Sequence, residues 1–126
     1  MSSANLQFSV PAGGQGVRAA RDAISAAVRQ WGFTDPGWVY EICAVTTELV
    51  NNAVCHGGGC RGVALSADDA SVTVHVTDSS PAEPRQRPGA YGLAIVAAFA
   101  RAFDTTRLPA GKRVWATMRP CPAIRA

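Results

Sequence analysis

Glu48, Asn52 and His56 recur at i, i+4 spacing in the stretch "TTELVNNAVCHG" (46–57). On a helix such residues stack one turn above another, so a carboxylate, a carboxamide and an imidazole would line one stripe. The amide oxygen of Asn52 is a hard, neutral ligand, suited to Mg²⁺ that also takes phosphate oxygens and waters. Glu48, one turn earlier, is placed to orient or deprotonate an attacking hydroxyl. The same stripe also fits a solvated helix edge, with Asn52 a polar residue near a helix C-terminus. Asparagine competes for backbone hydrogen bonds and is a poor helix-interior residue, so two in succession call for a reason. At about 100° per residue, Asn51 projects away from the stripe, and no role for it follows.

The helix that carries the stripe is expected from about Pro36 to Cys55. Asp35 supplies the N-cap and Pro36 the first helical position, and Gly57, Gly58 and Gly59 end it. Val39, Ile42, Thr46, Leu49, Val50 and Ala53 form its apolar arc, with Glu41 beside the stripe on the flank. An earlier helix is predicted over 17–32, with Val17, Ala20, Ile24, Ala27, Val28 and Trp31 at helical spacing and Gly32 as its stop. "NLQFSV" (5–10) alternates weakly and reads as a first strand. "CRGVALSA" (60–67) and "SVTVHVTD" (71–78) read as strands joined by a hairpin connection at 68–70. A proline-rich loop (79–89) leads to a largely buried helix over 90–103. "DTTRL" and "KRVWATM" then close a hairpin around "PAG" (109–111). Grouped helices and hairpins predict an α+β fold. Its form is a two-layer α/β sandwich with a mostly antiparallel mixed sheet and helices on one face.

Composition narrows the function classes. The chain has 126 residues, 48% hydrophobic and 17% charged, which suits a single packed domain over 1–126. No apolar window reaches the length of a membrane span, and "MSSANLQFSV" lacks the basic and apolar regions of a secretion signal, so a cytoplasmic location is expected. Alanine-rich, arginine-rich usage suggests a GC-rich bacterial genome. The net charge is +3, and Lys112 is the only lysine. The basic residues are scattered, which gives no footprint for nucleic acid. Cys43, Cys55, Cys60 and Cys121 form no paired C-x2-C knuckle for zinc and read as free thiols in small buried positions.

Four segments, in order, resemble one family. "ELVNNAVCHG" is similar to the N box of the histidine-kinase-like ATPases, the fold shared with gyrase B and MutL, and most resembles the short bacterial branch of anti-sigma factor serine kinases. Glu48, Leu49, Val50, Asn52, Ala53, Val54 and His56 match the branch pattern. "VTVHVTDSSP" resembles the strand that ends in an adenine-reading aspartate, here Asp78. "GAYGLAIVAAFARAFD" resembles the second glycine box, and "GKRVWATM" the closing strand. The resemblance covers nearly the whole chain and implies a Bergerat-type ATP-binding fold. It further implies that Asp78 accepts a hydrogen bond from the adenine amino group, that Asn52 holds Mg²⁺, and that Glu48 is the catalytic carboxylate. His56, Ser80, Gly89, Gly92, Leu93 and Thr117 complete the implied ATP site, with Gly92 opening a helix whose free N–H groups face phosphate. The implied partners are a sigma factor and an anti-sigma factor antagonist protein, with homodimerisation common in the branch.

Some positions depart from the family pattern. Ser80 stands where the first glycine box has glycine, a form frequent in the short branch. Ala90 replaces a glycine of the second box beside the bulky Tyr91, and the segment between Asp78 and Gly92 is short for an ATP lid. Arg113 stands where threonine is common, with Thr117 as a weak substitute. Two readings follow. One is an ATP-dependent serine/threonine-protein kinase that binds a sigma factor and phosphorylates its antagonist. The other is a catalytically weak or inactive partner-binding module on the same fold.

Overall fold

The computed structural model describes residues 4–10, 14–56, 59–68, 70–80 and 92–122. Along them run β1 (Ala4–Phe8), α1 (Gly14–Gln30), α2 (Pro36–His56), β2 (Cys60–Ala67), β3 (Val72–Asp78), α3 (Gly92–Phe99), β4 (Ala100–Leu108) and β5 (Gly111–Met118). The strands form one sheet in the order β1-β2-β3-β5-β4. Every neighbouring pair is antiparallel, so the fold is α+β as expected, without the mixed character. The connection through α3 places β4 one strand away from β3. β5 fills the gap and runs antiparallel to both.

Local chemistry sets the helix ends. Gly32 takes φ 98°, and the Phe33 N–H reaches back to the Val28 carbonyl at 2.9 Å, closing α1 in a conformation that glycine adopts without steric penalty. Asp35 caps α2, its Oδ2 accepting the Trp38 N–H at 2.8 Å. The expected arc of α2 is buried throughout, from Val39 to Ala53. Thr46 tolerates that burial because its hydroxyl donates to the Ile42 carbonyl at 2.8 Å.

Strand alternation supplies the facing layer. Val63, Leu65, Val72, Val74, Val76, Val114, Ala116 and Met118 are buried beneath α2, which packs on β2, β3 and β5, while α1 and α3 pack against α2. Thr73, His75, Thr77, Trp115 and Thr117 alternate onto the other face and are half-buried. That face forms a shallow hollow of about 350 Å³ lined by residues including Asn5, Gln7, Ser66, His75, Thr77 and Arg113. No described helix is long and apolar enough to cross a membrane.

Two expectations are corrected. The third helix ends at Phe99 instead of Phe103, because Ala100 to Leu108 pair with Met118 to Gly111 in the sheet. A short apolar run has no decisive period, and the ladder hydrogen bonds available from β5 outweigh helix propensity there. The cysteines are not buried: Cys55 is exposed, and Cys43, Cys60 and Cys121 are intermediate. No cluster of three metal-ligating side chains occurs among the described residues.

Candidate functional site

The alternation that buries Val72, Val74 and Val76 carries on to Asp78, the last residue of β3, and sends its carboxylate to the helix side of the sheet. Asp78 is 3% exposed. Burying a carboxylate is costly unless it is paired and hydrogen-bonded, and here it is both. Oδ1 accepts the Ser80 N–H at 2.9 Å, and Oδ2 lies 2.8 Å from the ammonium of Lys112. Lys112 also donates to the Ser80 carbonyl at 3.3 Å, so one lysine ties down both the carboxylate and the turn that follows it.

Gly111 makes this approach feasible. A Cβ there would sit 2.0 Å from the Asp78 carbonyl oxygen and 3.0 Å from the Ser79 Cα. Only glycine lets the start of β5 press against the end of β3. The result is a fixed, buried carboxylate. An ionised carboxylate offers about four acceptor positions, and among the described residues the Ser80 N–H and Lys112 use two. What remains can accept N–H donors from a ligand.

Glu48 and Asn52 lie on α2, both half-buried, and their helical spacing stacks them as expected. They offer one carboxylate and one carboxamide oxygen. That donor set is too small for an all-protein cation cage and suits Mg²⁺, which is held through one or two protein oxygens together with phosphates and water. His56 is the last residue of α2, and its side chain lies outside the described residues. Gly92 opens α3, which packs against α2, and its first turn carries N–H groups without helical partners. Leu93 is half-buried behind it. Gly89, Ala90 and Tyr91 lie outside the described residues, as do Gly57 and Gly58.

Thr117 is not brought to Asp78. Lys112, Val114, Ala116 and Met118 take the buried face of β5, so Thr117 points to the opposite face, where its hydroxyl meets that of Thr73 at 2.9 Å. Arg113 is likewise on that face, beside Thr77. The residue that does stand at Asp78 is Lys112, which sequence reasoning counted only among scattered basic residues. Its signal was present: the sole lysine shares the phase of Val114, Ala116 and Met118.

Other polar groups carry their own perturbations. Burial, reinforced by the nearby Arg113 charge, holds the His75 imidazole below its usual pKa, and its Nδ1 is buried with no hydrogen-bond partner among the described residues. Burial raises the Cys60 thiol, and the Asp78 charge across the strand pair adds to the rise.

A family model described as a histidine kinase-like ATPase domain matches residues 10–118. No curated protein matches the chain. Among solved structures, the chain is similar to one described as the RsbU and RsbW domains of Rv1364c from Mycobacterium tuberculosis. The TM-score is 0.72 at 23% identity, covering 97% of this chain and 34% of that one. The likeness extends the fold assignment over nearly the whole chain, which spans about a third of the length of that matched chain.

Proposed function

The chain belongs to the histidine kinase-like ATPase domain family, and from that membership we propose that it binds ATP between α2, Asp78 and the start of α3 and acts as a regulatory serine kinase. The observation that carries the reading is Asp78: a carboxylate held rigid at the end of β3, inside the matched span, with acceptor positions to spare. It suits the adenine amino group. Asn52 offers an oxygen to Mg²⁺, and Glu48 is the group to receive the proton of an attacking serine hydroxyl. The N–H groups at Gly92 and Leu93 suit phosphate oxygens, with His56, Ser80 and Gly89 completing the set. Thr117 stands outside it, because β5 turns that side chain to the other face. When bound, Mg²⁺–ATP supplies the transferable phosphoryl group.

The sequence resemblance to anti-sigma factor serine kinases and the fold likeness to a chain with an RsbW domain support the regulatory part of the reading. The proposed partners are a sigma factor and an antagonist protein whose serine is phosphorylated in the cytoplasm by a single domain, with homodimerisation as in the branch. Ala90, Tyr91 and the short segment before Gly92 favour slow turnover, because phosphoryl transfer benefits from a closing lid. They also support the second reading, a partner-binding module with little turnover.

Calorimetry with ATP, with and without Mg²⁺, tests the site. Asp78→Asn should weaken binding by about 1–3 kcal/mol, the cost of mispairing a buried polar contact. Unchanged affinity in that variant would remove Asp78 from the adenine contact. Phosphorylation of an antagonist by the parent chain, abolished in Glu48→Ala, separates the kinase from the binding module.

A further inference from the structure

We propose that Lys112 is a second reader of the base, donating to the adenine ring nitrogen N1 while the adjacent Asp78 accepts from the 6-amino group. This rests on the ATP site proposed above and concerns its specificity. The geometry is a donor beside an acceptor: the Lys112 ammonium lies 2.8 Å from Asp78 Oδ2, on the same face of adjacent strands at paired positions. Adenine presents the complementary order on its Watson–Crick edge, an amino donor next to an acceptor nitrogen. Guanine presents an acceptor oxygen next to a ring N–H, the reverse order.

A lysine ammonium has three N–H donors. Asp78 and Ser80 take two of them, and the third has no partner among the described residues. The ammonium is also well positioned. Lys112 is 5% exposed, and the close approach of Gly111 to Asp78 and Ser79 holds the lysine backbone against the turn it serves. A lysine whose only task was to neutralise Asp78 would not need its second bond to the Ser80 carbonyl. That bond fixes the ammonium beside the carboxylate, where a base edge would span both groups. Sites that hydrogen-bond a ligand group in this way reject analogues lacking it, because their own polar groups are left unpaired.

The test compares ATP with 1-deaza-ATP, which keeps the amino group and lacks the N1 acceptor, and with GTP. Because Lys112 is the sole lysine of the chain, lysine labelled at Nζ with ¹⁵N gives one side-chain ammonium signal in the parent protein. Saturating ATP should shift that signal, and 1-deaza-ATP should shift it far less. Calorimetry should show the parent preferring ATP over 1-deaza-ATP by about tenfold or more, the loss of a hydrogen bond to a charged donor, and rejecting GTP. Lys112→Met should lose the preference for ATP over 1-deaza-ATP. Equal binding of the two by the parent overturns the assignment, as does a preference that survives in Lys112→Met. If Lys112→Met does not fold, the ammonium signal of the parent decides alone: equal shifts with both nucleotides reject the contact. A parent that binds ATP but fails these comparisons loses only the Lys112 role, whereas a parent that binds no ATP loses the nucleotide site itself.

Discussion

The two ends of the candidate nucleotide site are built on opposite terms. At the Asp78 end, a carboxylate and an ammonium are both almost wholly buried, bonded to each other and to the following turn. At the α2 end, Glu48 and Asn52 stand half-buried on a helix flank, positioned by helical spacing alone. The first end is organised before any ligand arrives, and removing one partner of the pair leaves the other's charge buried. The second leaves its oxygens within reach of solvent, which suits the hydrated cation proposed for it. Stability and chemistry are therefore concentrated at different ends, and substitutions can separate them.

The largest effect should come from Lys112→Met. It leaves the Asp78 carboxylate buried without its countercharge, which typically costs about 3–5 kcal/mol. Denaturant unfolding measures it, and pairing the change with Asp78→Leu should recover much of the loss, because neither charge is then left behind. A loss below about 1 kcal/mol in the single variant would mean that water reaches the pair, and the contrast between the ends would weaken.

Gly111→Ala comes next. The added methyl would meet the Asp78 carbonyl oxygen at 2.0 Å, so β5 or the turn must shift. Overpacking of this kind costs about 1–3 kcal/mol. A lower Tm together with weaker ATP binding is expected. A drop in Tm with full retention of ATP affinity would show that the nucleotide does not depend on the clamped turn.

A smaller effect is expected from pH on the other face of the sheet. His75 has its folded pKa lowered, chiefly by burial, so the unfolded chain binds the proton more readily and stability rises with pH there. The contribution is fully present above the unfolded histidine pKa and is lost as pH falls through that value toward the lower folded one. Thermal unfolding between about pH 7.5 and 5 should show a decline that His75→Gln makes shallower. Identical profiles would indicate that the imidazole is solvated in the fold.

The smallest stability changes belong to Glu48→Ala and Asn52→Ala, within about 0.5 kcal/mol as for other substitutions away from the core. Their functional effects should be large and distinct. Asn52→Ala is expected to lose the Mg²⁺-dependent part of nucleotide binding, and Glu48→Ala to keep nucleotide while losing phosphoryl transfer. Parental transfer rates in both would assign these residues to the solvated helix edge.

The sequence alone determined whatever depends on short-range chemistry. Asp35 before Pro36 announced the start of α2, Gly32 the end of α1, and the alternation of Val72, Val74 and Val76 the burial of one face of β3. The i, i+4 spacing of Glu48 and Asn52 was legible for the same reason, because a helix fixes neighbours three and four residues apart. Tertiary structure decided what depends on pairing between distant strands. The run from Ala100 to Phe103 reads locally as the end of a helix, and only the ladder with β5 makes it part of β4. Thr117 and Lys112 both lie near the end of the chain, and the phase of β5 sends one to the open face and the other to Asp78. That partnership spans 34 residues (from 78 to 112) and rests on a strand register, which no local pattern encodes: a slip of one residue would exchange the faces of every side chain on the strand.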